Sequence, residues 1–338
     1  MERTTVIRRR LIALAGAAIF AASAAAPAPA APATAGAPAH LVHEQIARGT
    51  LVGSFYAPAD GTQHPAVVLL GGSEGGLPDA DARRFAEHGY AALALAYFGT
   101  APLPPKLSAI PIETVTTGID WLAARPEVDP KRIGIEGGSK GGELALVVAS
   151  RDARIRATAA IAPSAVVWFG LNFGSGPETS SWSANGVPLD YIPSDAAADA
   201  AVGKAYATHG TVQFRDTFDA SWNAAAPAVR ERATIPVERI GGPILCVAGA
   251  DDREWDSPAA CRSIAARRRS ANRAGADETV IEPDAGHALP FSGTPVPGSF
   301  QAGPVVMQLG GTPEGNGRGG ADAFAHVLAF FGRTIGAP

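Results

Sequence analysis

The chain has 338 residues, 46% of them hydrophobic and 18% charged, enough apolar sequence to bury a full core and too little charge for a disordered chain. With Lys+Arg 28 against Asp+Glu 32 the formal net charge is -4, which excludes the basic face that a nucleic-acid partner requires. Two cysteines cannot make a disulfide-stapled scaffold, and no Cys/His cluster has the spacing of a metal site.

The first residues read as a targeting segment. Arg3 and Arg8-Arg9-Arg10 precede the apolar run Leu11 to Ala22, and Ala22-Ser23-Ala24 offers a small-residue cleavage site. Residues 1–24 are therefore expected to be a signal peptide, too short in their apolar run to stay as a membrane span. Residues 25–45 follow as an Ala/Pro-rich tether. The expected product is an exported protein, periplasmic or secreted, with no stable membrane association after cleavage.

From residue 46 onward one α/β domain is expected. Ala66–Leu70 and Ala91–Ala96 read as buried strands, with a helix from Asp79 to His88 between them. Ile112, Val115, Ile119 and Leu122 fall at helical spacing, and Pro126 ends that helix. Arg132–Glu136 is a strand, Gly142–Ser150 a helix, and Thr158–Ala162, Pro243–Ala248 and Glu278–Glu282 are further strands. A last helix is expected over Ala321–Phe331. Strands alternating with helices predict a mostly parallel central sheet with helices on both faces. Two Gly/Pro/Ser-rich stretches interrupt the rhythm, at about 166–234 and 289–320. In such a sheet they belong over the strand ends where ligands bind, the first of them as a lid.

Gly137-Gly138-Ser139-Lys140-Gly141 stands between an expected strand and an expected helix. G-x-S-x-G in that context is a nucleophile elbow, a tight turn that lifts the serine hydroxyl above the sheet. Gly71-Gly72-Ser73-Glu74-Gly75 has the same pattern, but Gly76-Leu77-Pro78 prevents a helix from starting directly after it. The two motifs are expected to divide the work. Ser139 attacks, and the backbone N–H groups of Gly72, Ser73 and Lys140 receive the oxyanion. No phosphate-binding or dinucleotide glycine motif occurs, so no cofactor is expected.

A nucleophilic serine needs a base, and the base needs an orienting acid, in the chain order Ser, Asp, His for this elbow. Asp251-Asp252 follows the strand Pro243–Ala248, and His287 follows the strand Glu278–Glu282 in a loop. Asp252 is preferred to Asp251 by its register after Gly249, and Lys140 and Glu143 are read as structural, with Glu143 a buried partner to a loop. Trp168, Phe169, Phe173 and Trp182 either line an acyl pocket or form the lid's own core, the latter being favoured. Cys246 in a strand and Cys261 in the helix after it have marginal geometry for a bridge, and two free buried thiols are expected.

Gly137–Leu144 (GGSKGGEL) resembles the C-terminal domain shared by acyl-CoA thioester hydrolases and bile acid-CoA:amino acid N-acyltransferase. So do Gly71-Gly72-Ser73 with Gly75-Gly76-Leu77, Leu93–Gly99 (LALAYFG), Ile235–Arg239 (IPVER), Asp251-Asp252 with Trp255, Gly286-His287 and Gly310–Pro313 (GGTP). The resemblance covers roughly residues 65–335. It implies an α/β-hydrolase fold related to dienelactone hydrolases, with Ser139, Asp252 and His287 at the triad positions. The acyltransferase members carry cysteine at the nucleophile, so Ser139 matches the hydrolases. Animal members also carry an N-terminal β-sandwich, for which the residues between tether and first core strand leave no room.

The expected activity is an exported serine hydrolase of carboxylic esters or thioesters, acting on a small-molecule acyl substrate. An acyltransferase using the same acyl-enzyme, or a non-catalytic binding protein on this scaffold, are the alternatives.

Overall fold

The computed structural model describes residues 40–172 and 176–337. The proposed signal peptide, most of the tether and Phe173 lie outside them. In chain order the elements are β1 (Leu41–Arg48), β2 (Leu51–Pro58), β3 (His64–Leu70), α1 (Asp79–Glu87), β4 (Ala91–Ala96), β5 (Ile110–Pro111), α2 (Glu113–Ala123), β6 (Val128–Gly138), α3 (Lys140–Ala149) and β7 (Ile155–Ile161). There follow β8 (Trp182–Ala184), β9 (Val187–Pro188), α4 (Ala196–Thr208), β10 (Thr211–Val212), α5 (Phe214–Ala224), α6 (Pro227–Ala233), β11 (Ile244–Gly249), α7 (Ser257–Ser270) and β12 (Glu278–Glu282). The hairpin β13 (Ser299–Ala302) and β14 (Val305–Gln308) and the long α8 (Pro313–Phe331) complete the chain.

Eight strands form one sheet in the order β1-β2-β4-β3-β6-β7-β11-β12. Six are parallel, while β2 runs antiparallel to β4 and β1 antiparallel to β2. The α/β-hydrolase expectation of a mostly parallel sheet with helices on both faces is met. The antiparallel strands β1 and β2 at one side of the sheet lie outside the sequence reading, and β1 starts at Leu41, inside the segment assigned to the tether. His43 and Gln45 alternate with Val42 and Glu44 on an edge with little apolar character, which gives the strand no clear signature.

Successive strand residues point to opposite faces, so a strand covered on both sides must be apolar throughout. β3 shows this directly. Val68 and Leu70 pack with Val115, Ile119 and Leu122 of α2 and with α3, while Val67 and Leu69 pack with Phe85 of α1 and Phe324, Val327 and Phe331 of α8. The same division holds for Leu93 and Leu95 against Ala92 and Ala94 of β4.

The last helix begins at Pro313, eight residues before the expected start. Four glycines in its first two turns hide it from propensity. Thr312 caps it by accepting the Gly315 N–H. The glycines are there for close approach: a Cβ on Gly315 would lie 2.2 Å from the Asp284 carbonyl oxygen, and one on Gly320 would lie 2.1 Å from that of Pro290. The helix thus presses its N-terminal half against the loop that bears His287.

The two interrupting stretches meet each other. β10, from the first, pairs with β14, from the second, in a small sheet of order β10-β14-β13. Together they cover the end of the main sheet at which β6 and β11 finish.

Candidate active site

Ser139 joins β6 to α3. Its φ of 54° and ψ of -121° are those of a sharp turn that bulky backbones avoid. The turn is possible because its neighbours have no side chains. A Cβ on Gly137 would lie 2.2 Å from the Gly141 carbonyl oxygen, and one on Gly141 would lie 2.3 Å from that of Leu70. Helix and strand therefore close on each other and on the end of β3, leaving the half-buried serine at the corner.

His287 stands in the loop after β12, where its N–H donates to the Leu309 carbonyl at 2.8 Å. Its Nε2 lies 2.8 Å from the Ser139 hydroxyl, and its Nδ1 lies 2.9 Å from Asp252 Oδ2. A carboxylate only accepts, so Nδ1 carries the proton and Nε2 is left to accept from Ser139. Asp252 is wholly buried. Its Oδ1 accepts the Glu254 and Trp255 backbone N–H groups, and its Oδ2 also accepts the Ser257 hydroxyl. Asp251 faces elsewhere, pairing with Arg253 and accepting the Gly311 N–H. Of the two neighbouring acids, Asp252 is the one whose carboxylate lies against His287 Nδ1.

Trp255 sets its ring edge-on to the His287 imidazole at 4.8 Å. Burial disfavours the imidazolium, but the Asp252 charge and hydrogen bond, with Glu254 and Glu74 adding, outweigh it and hold the His287 pKa above its ordinary 6.5.

The loop after β3 reaches Ser139: a Cβ on Gly72 would lie 3.2 Å from the serine Cβ. Tyr97 holds that loop by donating its hydroxyl to the Gly71 carbonyl at 2.5 Å. The expected oxyanion donors are not all free, however. The Gly72 N–H is donated to Glu74 Oε1 at 2.8 Å. This corrects the assignment of Gly72 for the resting protein, because a carboxylate two residues on competes for the same N–H. Lys140 is the first residue of α3, so its N–H has no intrahelical acceptor and points from the helix start. The Ser73 N–H has no acceptor among the described residues.

Lys140 and Glu143 form a fully buried ion pair at 2.7 Å. Burial lowers the one pKa and raises the other, and the mutual attraction opposes both shifts. Glu143 Oε1 also accepts the Trp182 indole N–H and the Trp168 backbone N–H, the loop partnership expected of it. The covering segment is consequently fastened to the nucleophile's own helix. Trp182 is part of the main core, and Trp168 and Phe169 pack with Phe218 and Trp255. Trp168, Phe169 and Phe218 thus form the covering segment's own core, set against Trp255, while Trp182 belongs to the main core.

Three groups escaped the sequence reading: Glu74, Glu254 and Phe218. A carboxylate inside a glycine motif was the available signal for the first. Among the described residues, no three His, Cys, Asp or Glu side chains are placed to hold a metal ion.

The family profile described as BAAT / Acyl-CoA thioester hydrolase C terminal matches residues 110–337. Acyl-coenzyme A thioesterase 6 of Mus musculus is 31% identical over 301 residues, 87% of this chain and 64% of that protein. Acyl-coenzyme A amino acid N-acyltransferase 1 of Mus musculus is 29% identical, over 74% of this chain and 55% of that protein. The chain thus spans less than two thirds of the length of these relatives. A putative dienelactone hydrolase from Klebsiella pneumoniae shares the fold, with a TM-score of 0.50 and 18% identity over 84% of this chain and 93% of that one. With more than half its length matched by one profile, the chain belongs to the BAAT / acyl-CoA thioester hydrolase C-terminal family.

Proposed function

We propose that the protein is an exported serine hydrolase that cleaves carboxylic esters or thioesters through an acyl-enzyme on Ser139. The observation that carries this reading is the hydrogen-bonded chain from the Ser139 hydroxyl through His287 to buried Asp252. In the first step the Ser139 proton passes to His287 Nε2 as Oγ bonds the acyl carbon. The oxyanion receives the Lys140 N–H and an N–H of the loop after β3. Collapse expels the alcohol or thiol, which takes the proton from His287. Water, deprotonated by the same imidazole, then attacks the acyl-enzyme, and Ser139 leaves with its proton restored.

Export is supported by the basic and apolar N-terminal segment and by the Cys246–Cys261 bridge, which suits an oxidising compartment. Family membership makes acyl-CoA thioesters the first substrates to compare with simple esters. A fluorophosphonate probe is expected to label the protein at Ser139 and not its Ser139→Ala variant. Hydrolysis of p-nitrophenyl esters and of acyl-CoA of matched chain length then identifies the leaving group. Labelling that persists in Ser139→Ala, or product that forms only with an added amine, would refute the hydrolase reading, the latter in favour of acyl transfer.

A further inference from the structure

Two carboxylates beside His287 take no part in the relay. Glu254 is half-buried in the turn after β11, and neither an ion pair nor a side-chain hydrogen bond involves its carboxyl among the described residues. Burial pushes its pKa up to about 7, the nearby His287 opposing and Asp252 reinforcing the shift. Glu74 is exposed, and its carboxylate lies over Gly72. A Cβ on Gly72 would lie 2.7 Å from Glu74 Oε2 and 3.2 Å from the Ser139 Cβ, so the carboxylate and the nucleophile flank the same spot. Both carboxylates act on His287 in the same sense as Asp252.

Among the described residues, the neighbouring cations are already paired with other carboxylates. Arg215 pairs with Asp219 and Asp256, Arg253 with Asp251, and Lys140 is buried against Glu143. Asp252 differs from the other two because its oxygens are all engaged by donors. Among the described residues, the charge near Ser139 and His287 that no cation pairs is therefore that of Glu254, next to Asp252 in the chain, and of Glu74, across Gly72 from the nucleophile.

Resting on the serine-hydrolase reading, we propose that Glu254 and Glu74 make the site selective for the charge of the acyl group. Acyl chains that are neutral or carry a cation are accepted, and acyl chains bearing a carboxylate a few bonds from the reacting carbonyl are excluded. Like charges some 7 Å apart at an effective dielectric near 20 repel strongly enough to cost about tenfold or more in rate. Charges on a distant part of the leaving group lie beyond the screening length of about 8–10 Å and are barely felt. The selectivity thus concerns the acyl chain, whatever the leaving group.

The test uses three p-nitrophenyl esters of similar length: pentanoate, the monoester of succinic acid, and 4-(trimethylammonio)butyrate, each corrected for uncatalysed hydrolysis. At pH 8 and low salt, kcat/KM for pentanoate is expected to exceed that for the succinate by about tenfold or more. The trimethylammonio ester is expected to equal or surpass the pentanoate. Glu254→Gln should narrow the gap between succinate and pentanoate, Glu254→Gln with Glu74→Gln should narrow it further, and 0.5 M NaCl should narrow it in the unaltered protein. Equal rates for the three esters, or a gap unchanged by the double substitution and by salt, would overturn the proposal while leaving the hydrolase reading in place. Hydrolysis of none of them, with no fluorophosphonate labelling, would overturn the hydrolase reading and the selectivity with it.

Discussion

Glu143 Oε1 accepts the indole N–H of Trp182 at 2.7 Å, across 39 residues of sequence and with both side chains wholly buried. One carboxylate on the nucleophile's helix therefore holds the covering segment, while its other oxygen holds Lys140, whose N–H faces the reacting centre. Covering segment and elbow behave as one body. Glu143→Ala leaves the Lys140 ammonium buried without a counter-charge, and breaking such a pair costs about 3–5 kcal/mol. Chemical denaturation with a linear extrapolation measures it, and a loss under 1 kcal/mol would contradict the coupling described. Glu143→Gln keeps an acceptor for the indole but not the charge, so its own loss reports the ion pair and the further loss in Glu143→Ala reports the hydrogen bonds.

Ser139→Ala, His287→Ala and Asp252→Asn should each lower esterase turnover by about four to six orders of magnitude without altering the fold. With one oxygen held by the Glu254 and Trp255 N–H groups, Asp252→Asn turns an NH2 donor toward His287 Nδ1, so its loss is one of imidazole tautomer as well as charge. Circular dichroism establishes the fold and steady-state kinetics the loss. Activity lost in Ser73→Ala but kept in Ser139→Ala would reverse the roles of the two glycine motifs.

The pH dependence follows from His287. In the proposed mechanism the neutral imidazole is the base, and its pKa is held above 6.5 by Asp252 against the effect of burial. As pH falls, kcat/KM should therefore decline with a midpoint above 6.5. Glu254→Gln removes a charge that favours the imidazolium, so it should move that midpoint downward. An unmoved or raised midpoint would contradict the electrostatic arrangement of the site.

The parts of this molecule that were legible in sequence are those in which one local signal decides the structure. The runs Ala91–Ala96 and Glu278–Glu282 appear as strands with the bounds expected, the first because continuous burial leaves an unbroken apolar run and the second because its centre, Thr279-Val280-Ile281, is β-branched. Ser139, Asp252 and His287 were singled out by the order of strand-end residues along the chain, and their side chains lie within hydrogen-bond distance of one another in the fold. What stayed hidden depends on contacts between distant residues. α8 is helical through its glycines only because Asp284 and Pro290 lie against it. Glu74 reads as a turn residue until the Gly72 N–H is seen to donate to it.

Glu136 on β6 is buried, and burial, with the Asp81 charge adding, raises its pKa well above 4.5. A carboxyl with a raised folded-state pKa favours the folded state when protonated. Its contribution is therefore complete below about pH 4.5 and is lost progressively as pH rises above it. Glu136→Gln stays neutral in both states, so it should stabilise the protein by about 1–3 kcal/mol at pH 8 and by much less at pH 5. Thermal melts at the two values measure the difference, and a larger gain at the lower pH would contradict the sign.

Cys246 and Cys261 are bridged, with Cα atoms 5.5 Å apart, where two free thiols were expected. The error lay in the spacing assumed between helix and sheet. Cys261 sits early in α7, just after the Asp252 turn, where the chain has not yet separated from β11. At that point helix and strand are still closer than two packed layers would be. The bridge closes a loop with a sequence separation of 15, and a loop of that size restricts the unfolded chain by about 3 kcal/mol. Thiol titration in denaturant without reductant should find no reactive group, and two should appear after reduction. Reduction should lower the stability by about that amount while leaving esterase activity of the folded protein intact, since neither cysteine touches Ser139, His287 or Asp252 through any hydrogen bond. Two free thiols before reduction, or a melting temperature unchanged by it, would overturn this account of the pair.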